Sequence, residues 1–186
     1  SVPERFTNDP EGEITTFRAA LAAAKKDMRD LGAGLVNKLS SEELALFDVY
    51  IRMLDDSSLG GEVIAAITAG QTAQSAWSSV ILKHVRTFRQ MDDPYLRERA
   101  ADVNDLGKRV LGYLQSNVKA ETPMPRRVVL VGEDLSATAL ADIPVNRLVG
   151  IISLKGSSNS HMAIVGRALG IPTVMGAIDL PWAELE

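Results

Sequence analysis

The N-terminal part of the chain carries apolar residues at the spacing of amphipathic helices. From Glu11 onward these residues step alternately by three and four positions: Ile14, Phe17, Leu21, Ala24, Met28, Leu31 and Leu35. The spacing places all of them on one stripe and predicts a long helix. A second helix is predicted to begin at Ser40, because Ser40 and Glu43 have the spacing of a capping box.

Further helical patterns follow before the composition changes. A short one covers residues 62–69 and a long one residues 72–91. Asp93 and Pro94 then predict a new helix, since an N-cap residue followed by proline at the first helical position favours a helix start. Four long helices with short connections predict an antiparallel helical bundle.

The pattern changes after Tyr113. Two prolines within residues 117–125 are typical of a linker. Residues 127–132, 148–153 and 171–175 are short apolar runs ended by turn signals, and each predicts a strand. Strands with a helix-compatible segment between them predict a small α/β domain. Because three strands make a thin sheet, we expect additional strands beyond one or both ends of the chain.

These patterns together predict an α+β protein with two domains. Residues 1–9 are expected to be a linker from preceding strands. Residues 10–117 are expected to form the helical bundle, and residues 118–186 an incomplete α/β domain.

The composition narrows the possible functions. The chain has 186 residues, no cysteine, two histidines and a net charge of −4. With no thiolate and so few imidazoles, we predict no metal site in this chain. The negative charge argues against general nucleic-acid binding, and no apolar run reaches the roughly 18 residues of a membrane span. We expect a cytoplasmic, monomeric chain with neither a membrane nor a nucleic-acid partner.

Residues 156–176 carry the pattern with the clearest chemistry. Gly156 permits a tight turn and Ser160 is a good N-cap, so His161 is predicted to lie in the first turn of a short helix. Unpaired N–H groups at that position bind anions, and the helix dipole disfavours a protonated imidazole. Transfer of a phosphoryl group to histidine requires such a neutral ring beside an anion site. Ser160, Asn159 and Arg167 are the predicted phosphate-stabilising residues.

Spacing alone leaves a simpler interpretation open, in which the histidine is only a cap or a surface residue. The same stretch, however, resembles the phosphohistidine signature of enzymes that use phosphoenolpyruvate. The matching residues are Gly156, Ser160, His161, Ala163, Ile164, Arg167, Leu169, Gly170, Ile171, Pro172, Val174 and Gly176. The resemblance implies a transient phosphohistidine, with the phosphoryl group on Nε2 of His161.

A second motif resembles Enzyme I of the phosphoenolpyruvate-dependent phosphotransferase systems. It is YLRERAADVNDLGKRVLGYL, residues 95–114. The resemblance to this family covers residues 10–176 and implies a bundle inserted into a phosphohistidine domain that is truncated here at both ends. It implies that His161 accepts phosphate, from phosphoenolpyruvate in the full enzyme, and passes it to a histidine of an HPr-like phosphocarrier. The family's phosphoenolpyruvate and Mg²⁺ sites lie in a C-terminal barrel that this chain lacks, so no cofactor is expected in it.

A possible docking surface for that carrier lies on the second helix. Leu46, Tyr50 and Met53 form an apolar stripe about 110° around the helix from the core stripe. The stripe is either buried in a thick bundle or a binding surface with a basic rim. Carried over by matching position, the resemblance implies these carrier-binding residues: Glu42, Leu46, Tyr50, Met53, Leu59, Ser78, Ile81, His84, Phe88, Met91, Leu96 and Arg99.

Two departures from the family pattern bear on subtype and site. Ser57 and Ser58 replace acids beside a basic third helix, which is more similar to the nitrogen-related Enzyme I and its acidic carrier. The family also places a threonine hydroxyl against the histidine, where Leu140 falls here. Ser160 is the simplest replacement, with Ser136 and Thr138 close to Leu140 in the sequence.

Two other functions remain as alternatives. The chain resembles, less closely, the phosphohistidine domains of pyruvate phosphate dikinase and phosphoenolpyruvate synthase, which lack the helical insertion. A helical interaction module with an incidental histidine is the alternative from another class, and it would carry no acid-labile phosphate.

Overall fold

The computed structural model describes residues 4–115 and 124–177. Its N-terminal part is helical, as predicted, with four long helices and a short one. The helices are α1 (Pro10–Leu35), α2 (Ser41–Met53), α3 (Leu59–Thr68), α4 (Ala73–Arg89) and α5 (Pro94–Leu114). The predicted boundary between domains at residues 117 and 118 lies outside the described residues.

The helix starts follow from the capping residues that the sequence provides. Ser40 and Glu43 form a reciprocal capping box, with the Glu43 N–H donating to Ser40 Oγ at 3.2 Å and the Ser40 N–H to Glu43 Oε2 at 2.8 Å. Asp9 caps α1 by accepting from the Gly12 N–H, and Thr72 caps α4 by accepting from the Ser75 N–H. Gly70 lies in the connection between α3 and α4, and its φ of 105° is a conformation that favours glycine.

The bundle core is built on large buried side chains. Phe17, Tyr50 and Trp77 are almost completely buried. The Trp77 indole donates its N–H to the carbonyl of Gly107 at 2.8 Å, which pins α4 against α5. A Cβ at Gly107 would lie 2.5 Å from Ile81 Cγ2, so the close approach of the two helices depends on this glycine.

Residues 5–7 form backbone hydrogen bonds with the connection between α3 and α4. Phe6 and Gln71 form an antiparallel bridge. The Thr7 N–H donates to the Gly70 carbonyl at 2.9 Å, and the Thr72 N–H to the Arg5 carbonyl at 2.9 Å. Residues 4–9, predicted as a linker, therefore form a short strand-like contact with the bundle.

The C-terminal part is a small parallel sheet with one helix, as predicted. The strands β1 (Val128–Gly132), β2 (Leu148–Ser153) and β3 (Thr173–Met175) lie in the order β1–β2–β3. Helix α6 (His161–Ala168) connects β2 to β3, and two 3₁₀ turns (Ala137–Asp142 and Val145–Arg147) connect β1 to β2. Leu140, Ile151 and Met162 are buried and form part of the continuous core.

A polar cluster fixes the sheet region against the bundle. Arg109 of α5 donates to Asp27 of α1 at 2.8 Å and to Asp142 at 2.9 Å. It also donates to the carbonyl of Thr138 at 3.0 Å, so one guanidinium joins α1, α5 and the first 3₁₀ turn. Tyr113 completes the cluster by donating to Asp27 at 2.8 Å. Because the Arg109 side chain is only 8% exposed, its ion pairs are little screened by solvent.

Candidate functional site

His161 is the first residue of α6, which confirms its predicted place in the first helical turn. Ser160 precedes it as the N-cap, and its hydroxyl accepts from the Ala163 N–H at 3.3 Å. Gly156 has φ of 92°, so the turn that leads into the helix uses a conformation that favours glycine. These local features bring the imidazole to the face of the sheet region that meets the bundle.

Three side chains of the bundle surround this imidazole. Asp102 Oδ2 lies 3.2 Å from Nδ1, and the Tyr50 hydroxyl lies 3.2 Å from the same nitrogen. Arg99 Nη1 approaches Nδ1 at 2.5 Å and Nε2 at 2.6 Å. Tyr50 comes from α2, whereas Arg99 and Asp102 are neighbours on one face of α5 and pair at 3.0 Å. The candidate nucleophile and its surroundings thus come from different parts of the fold.

The surroundings of the imidazole are largely shielded from water. The side chains are 16% exposed for His161, 18% for Arg99 and 8% for Asp102, and Tyr50 is buried. Burial, the Asp102 charge and a hydrogen bond with Asp102 raise the pKa of Tyr50 well above its ordinary value of 10.0. Tyr50 is therefore a neutral phenol at physiological pH, and its hydroxyl retains its proton.

A cavity of about 300 Å³ opens beside His161. It is lined by Pro94, Arg97, Arg99, Ala101, Asp102, Asp134, Leu135, Lys155, Gly156, Ser160, His161 and Met162. Arg97, Arg99 and Lys155 supply positive charge, and Asp102 and Asp134 supply carboxyl groups. Burial, followed by the nearby Asp105 charge, raises the pKa of Asp134. The cavity is therefore suited to a small anion held next to the imidazole.

Both parts of the chain match known protein families. Residues 2–99 match the family described as PEP-utilising enzyme, N-terminal, and residues 124–184 the family described as PEP-utilising enzyme, mobile domain. The chain belongs to the PEP-utilising enzymes. The resemblance to Enzyme I that the two motifs carry is confirmed by the relatives that follow.

Several of those relatives are similar over almost the whole chain. A protein of Escherichia coli (strain K12) named phosphoenolpyruvate-dependent phosphotransferase system is 40% identical over 95% of this chain. A phosphoenolpyruvate-protein phosphotransferase of Staphylococcus aureus is 32% identical over 90% of it. The chain spans 24% and 30%, respectively, of the lengths of these two proteins.

A solved structure is similar in both fold and sequence. It is described as the N-terminal domain of Enzyme 1 - Nitrogen and is 39% identical, with a TM-score of 0.69. The match covers 95% of this chain and 72% of that one. The predicted architecture, a helical bundle with a small α/β domain, is therefore shared with this solved domain.

The predicted phosphate-stabilising residues occupy different positions around the site. Ser160 lines the cavity, although its hydroxyl caps α6. Asn159 is exposed, and its backbone N–H donates to Ser157 Oγ at 3.2 Å. Arg167 is exposed and donates to the Ser158 carbonyl at 3.0 Å, so its described contact is with the loop and not with the imidazole.

The predicted carrier-binding residues divide by exposure. Tyr50, Leu59 and Ile81 are buried, so their side chains are not available on the surface of this structure. Arg99 is turned toward His161. The others are at least partly exposed: Glu42, Leu46, Met53, Ser78, His84, Phe88, Met91 and Leu96.

The hydroxyl beside His161 comes from a residue that the sequence analysis assigned to another role. Leu140, at the position of the family threonine, is buried in the core. Thr138 and Ser136 share a hydrogen bond of 2.7 Å and are also buried. The hydroxyl that lies against the imidazole belongs to Tyr50, not to Ser160 as expected. Asp102, Arg97 and Lys155 were not singled out at all, although the i, i+3 spacing of Arg99 and Asp102 is a signal that they share a helix face.

Proposed function

We propose that this chain is the phosphoryl-transfer part of a phosphoenolpyruvate-dependent phosphotransferase of the Enzyme I type. His161 accepts a phosphoryl group and passes it to a histidine of an HPr-like phosphocarrier. The observation that carries the proposal is the imidazole at the start of α6, set beside a cavity with three cationic side chains. The names of the relatives from Escherichia coli and Staphylococcus aureus support the same reaction class.

The transfer conserves both atoms and charge. In the direction from the carrier, Nε2 of a neutral His161 attacks phosphorus with its lone pair, and a new N–P bond forms. The carrier's phosphohistidine is protonated on its other ring nitrogen, so its N–P bond breaks at the same time and the electron pair leaves with a neutral carrier imidazole. His161 keeps its Nδ1 proton and becomes the phosphoimidazolium. Since one N–P bond replaces another, the reaction is readily reversible and needs no external acid.

The charges of the cavity fit the product of this step. A phosphoryl group on His161 carries negative charge on three oxygens, and Arg99, Arg97 and Lys155 line the cavity beside that histidine. Arg99 Nη1 is 2.6 Å from Nε2, so the guanidinium must rotate aside before phosphorus can approach that nitrogen. The same short movement leaves it beside the new phosphoryl oxygens. This assigns to Arg99 the role that the sequence analysis gave to Arg167.

The carrier is proposed to bind the outer face of α2 and α4. Leu46 and Met53 are partly exposed there, and Val49, which is 52% exposed, lies one helical turn before Met53. Lys83, Arg86 and Arg89 on α4 are exposed. A basic rim favours an acidic carrier, which supports the nitrogen-related type of Enzyme I and a role in nitrogen regulation. The 39% identity to a domain described as Enzyme 1 - Nitrogen supports the same choice.

The rest of the reaction belongs to the longer enzyme. We propose that phosphoenolpyruvate, with Mg²⁺, donates to His161 through a part of the enzyme outside this chain, and that the whole works in the cytoplasm. The chain spans only 24% of the relative from Escherichia coli, so its own share of the activity is the exchange with the carrier.

The proposal is tested by labelling the chain with a phosphorylated HPr-like carrier. We expect an acid-labile label on the wild-type chain and none on His161→Ala, because, of the two histidines, only His161 lines the cationic cavity. His84→Ala is the matched control and should keep the label, since His84 lies within α4 with Glu62 at 2.8 Å. Label that survives in His161→Ala would contradict the proposal.

A further inference from the structure

The contacts of His161 bear on which ring nitrogen holds its proton. Nδ1 has two oxygen atoms within 3.2 Å, one from Asp102 and one from Tyr50. A carboxylate only accepts hydrogen bonds, so Asp102 favours the neutral imidazole in which Nδ1 carries the proton. Arg99 lies close to both nitrogens and only donates, so it does not by itself select between them.

The Tyr50 hydroxyl is arranged to support the same tautomer. Burial and the charge of Asp102 raise the pKa of Tyr50, so the hydroxyl keeps its proton and also has oxygen lone pairs that can accept a hydrogen bond. In the tautomer that Asp102 favours, this oxygen accepts from Nδ1–H, with 3.2 Å between the two heavy atoms. Tyr50 and Asp102 therefore provide two oxygen acceptors at Nδ1, and both contacts leave the lone pair on Nε2.

We propose that Tyr50 is a positioning residue that, together with Asp102, holds the proton of His161 on Nδ1 and so makes Nε2 the phosphoryl-accepting atom. This inference rests on the proposed function and deepens it. It gives Tyr50 a role inside the site in place of the predicted role on the docking surface. It also assigns to α2 of the bundle the hydroxyl that the family pattern places near Leu140.

The packing of Tyr50 is suited to this role. Its ring lies edge-on to Phe47, with centroids 6.2 Å apart, and edge-on to the imidazole, with centroids 6.4 Å apart. The residue is 1% exposed, so the surrounding core fixes the position of the hydroxyl and shields it from bulk solvent. A hydroxyl held in this way orients the imidazole with little loss of entropy during the transfer.

The test measures the tautomer directly, by ¹⁵N NMR of the histidine side chains in the unphosphorylated chain. We expect the Nδ1–H form for His161 in the wild type and a shift toward Nε2–H in Tyr50→Phe. His84 provides an internal reference in each spectrum. Tyr113→Phe is the matched control, because it removes a hydroxyl that donates to Asp27, away from His161. It should leave the tautomer unchanged.

A second measurement connects the tautomer to the reaction. The rate of phosphoryl transfer from the phosphorylated carrier should fall about threefold to tenfold in Tyr50→Phe, the effect of one neutral hydrogen bond. Thermal unfolding of each variant checks that the fold is intact. Asp102→Asn serves as the second variant at the same nitrogen and should also shift the tautomer.

The outcomes separate the two proposals. A wild-type imidazole already in the Nε2–H form would overturn the inference, and so would a Tyr50→Phe variant with the wild-type tautomer and rate. In both cases a labelled wild-type chain leaves the proposed function standing. A wild-type chain that takes no label contradicts the proposed function instead, whatever the tautomer shows.

Discussion

The two histidines of this chain have similar immediate partners and different surroundings. Each has a carboxylate oxygen within hydrogen-bond distance of one ring nitrogen, Asp102 for His161 at 3.2 Å and Glu62 for His84 at 2.8 Å. Their side chains are also comparably shielded, with 16% and 27% of the surface exposed. Neither a partner carboxylate nor partial burial therefore distinguishes a reactive histidine from a structural one.

The differences lie in which nitrogen is occupied and what surrounds the other. Glu62 binds Nε2 of His84, and the same carboxylate accepts from Lys83 at 2.8 Å. Asp102 and Tyr50 instead bind Nδ1 of His161, which leaves Nε2 facing Arg99 beside the cavity. In addition, His161 begins a helix, where the dipole favours anions, whereas His84 lies within one. A carboxylate at Nδ1 prepares Nε2 for chemistry, while one at Nε2 occupies that nitrogen.

The largest expected effect comes from neutralising the carboxylate beside His161, with the carboxylate beside His84 as the comparison. Asp102→Asn should slow phosphoryl transfer to His161 about a hundredfold or more, because an amide no longer selects the Nδ1–H tautomer. Glu62→Gln makes the same chemical change beside His84 and should leave the rate within about twofold. Rapid-quench measurement of transfer from the phosphorylated carrier gives both rates. Equal losses in the two variants would show that the carboxylates act through stability alone.

The helices and the sheet could be predicted from the sequence because their signals are local. The alternation of three- and four-residue steps gave α1, and the capping box gave the start of α2. His161 was placed in its helical turn by the glycine and N-cap residues before it. One strand start was predicted two residues too early: β3 begins at Thr173, after Pro172, and not at Ile171.

The surroundings of His161 could not be predicted because they depend on how distant segments pack. Tyr50 and Asp102 are separated from His161 by 111 and 59 residues along the chain. The local pattern of α2 left open whether its second stripe is buried or a binding surface, and the structure buries Tyr50 while Leu46 and Met53 stay partly exposed. Arg167 was expected near the phosphate because it is close to His161 in the sequence. Six residues at about 100° each, however, place it roughly 240° around α6 from His161.

A smaller effect, on carrier binding, is expected from changing a partly exposed residue of the α2 stripe. Met53→Glu should weaken carrier binding by more than about 1.4 kcal/mol, or tenfold, because Met53 is partly exposed on the proposed docking surface. Isothermal titration calorimetry with the unphosphorylated carrier measures this change. Val36→Glu, at a position that is 56% exposed but outside that surface, is the matched control and should bind normally. Unaltered binding by Met53→Glu would place the docking surface elsewhere.

The smallest expected effect concerns the pH dependence of stability at the structural histidine. The hydrogen bond from Lys83, and then the one from His84, lowers the pKa of Glu62 below its ordinary value of 4.5. A carboxyl group with a lowered pKa stabilises the fold above its unfolded pKa and loses that contribution as pH falls through the folded value. Glu62 is 40% exposed, so solvent screening limits the contribution to about 0.5 kcal/mol or less. Urea unfolding of the wild type and Glu62→Gln between about pH 6 and pH 3 should therefore show a slightly steeper loss of stability in the wild type, confined to the acidic end. Identical slopes for the two proteins would mean that the Glu62 pair with Lys83 and His84 contributes nothing to folding.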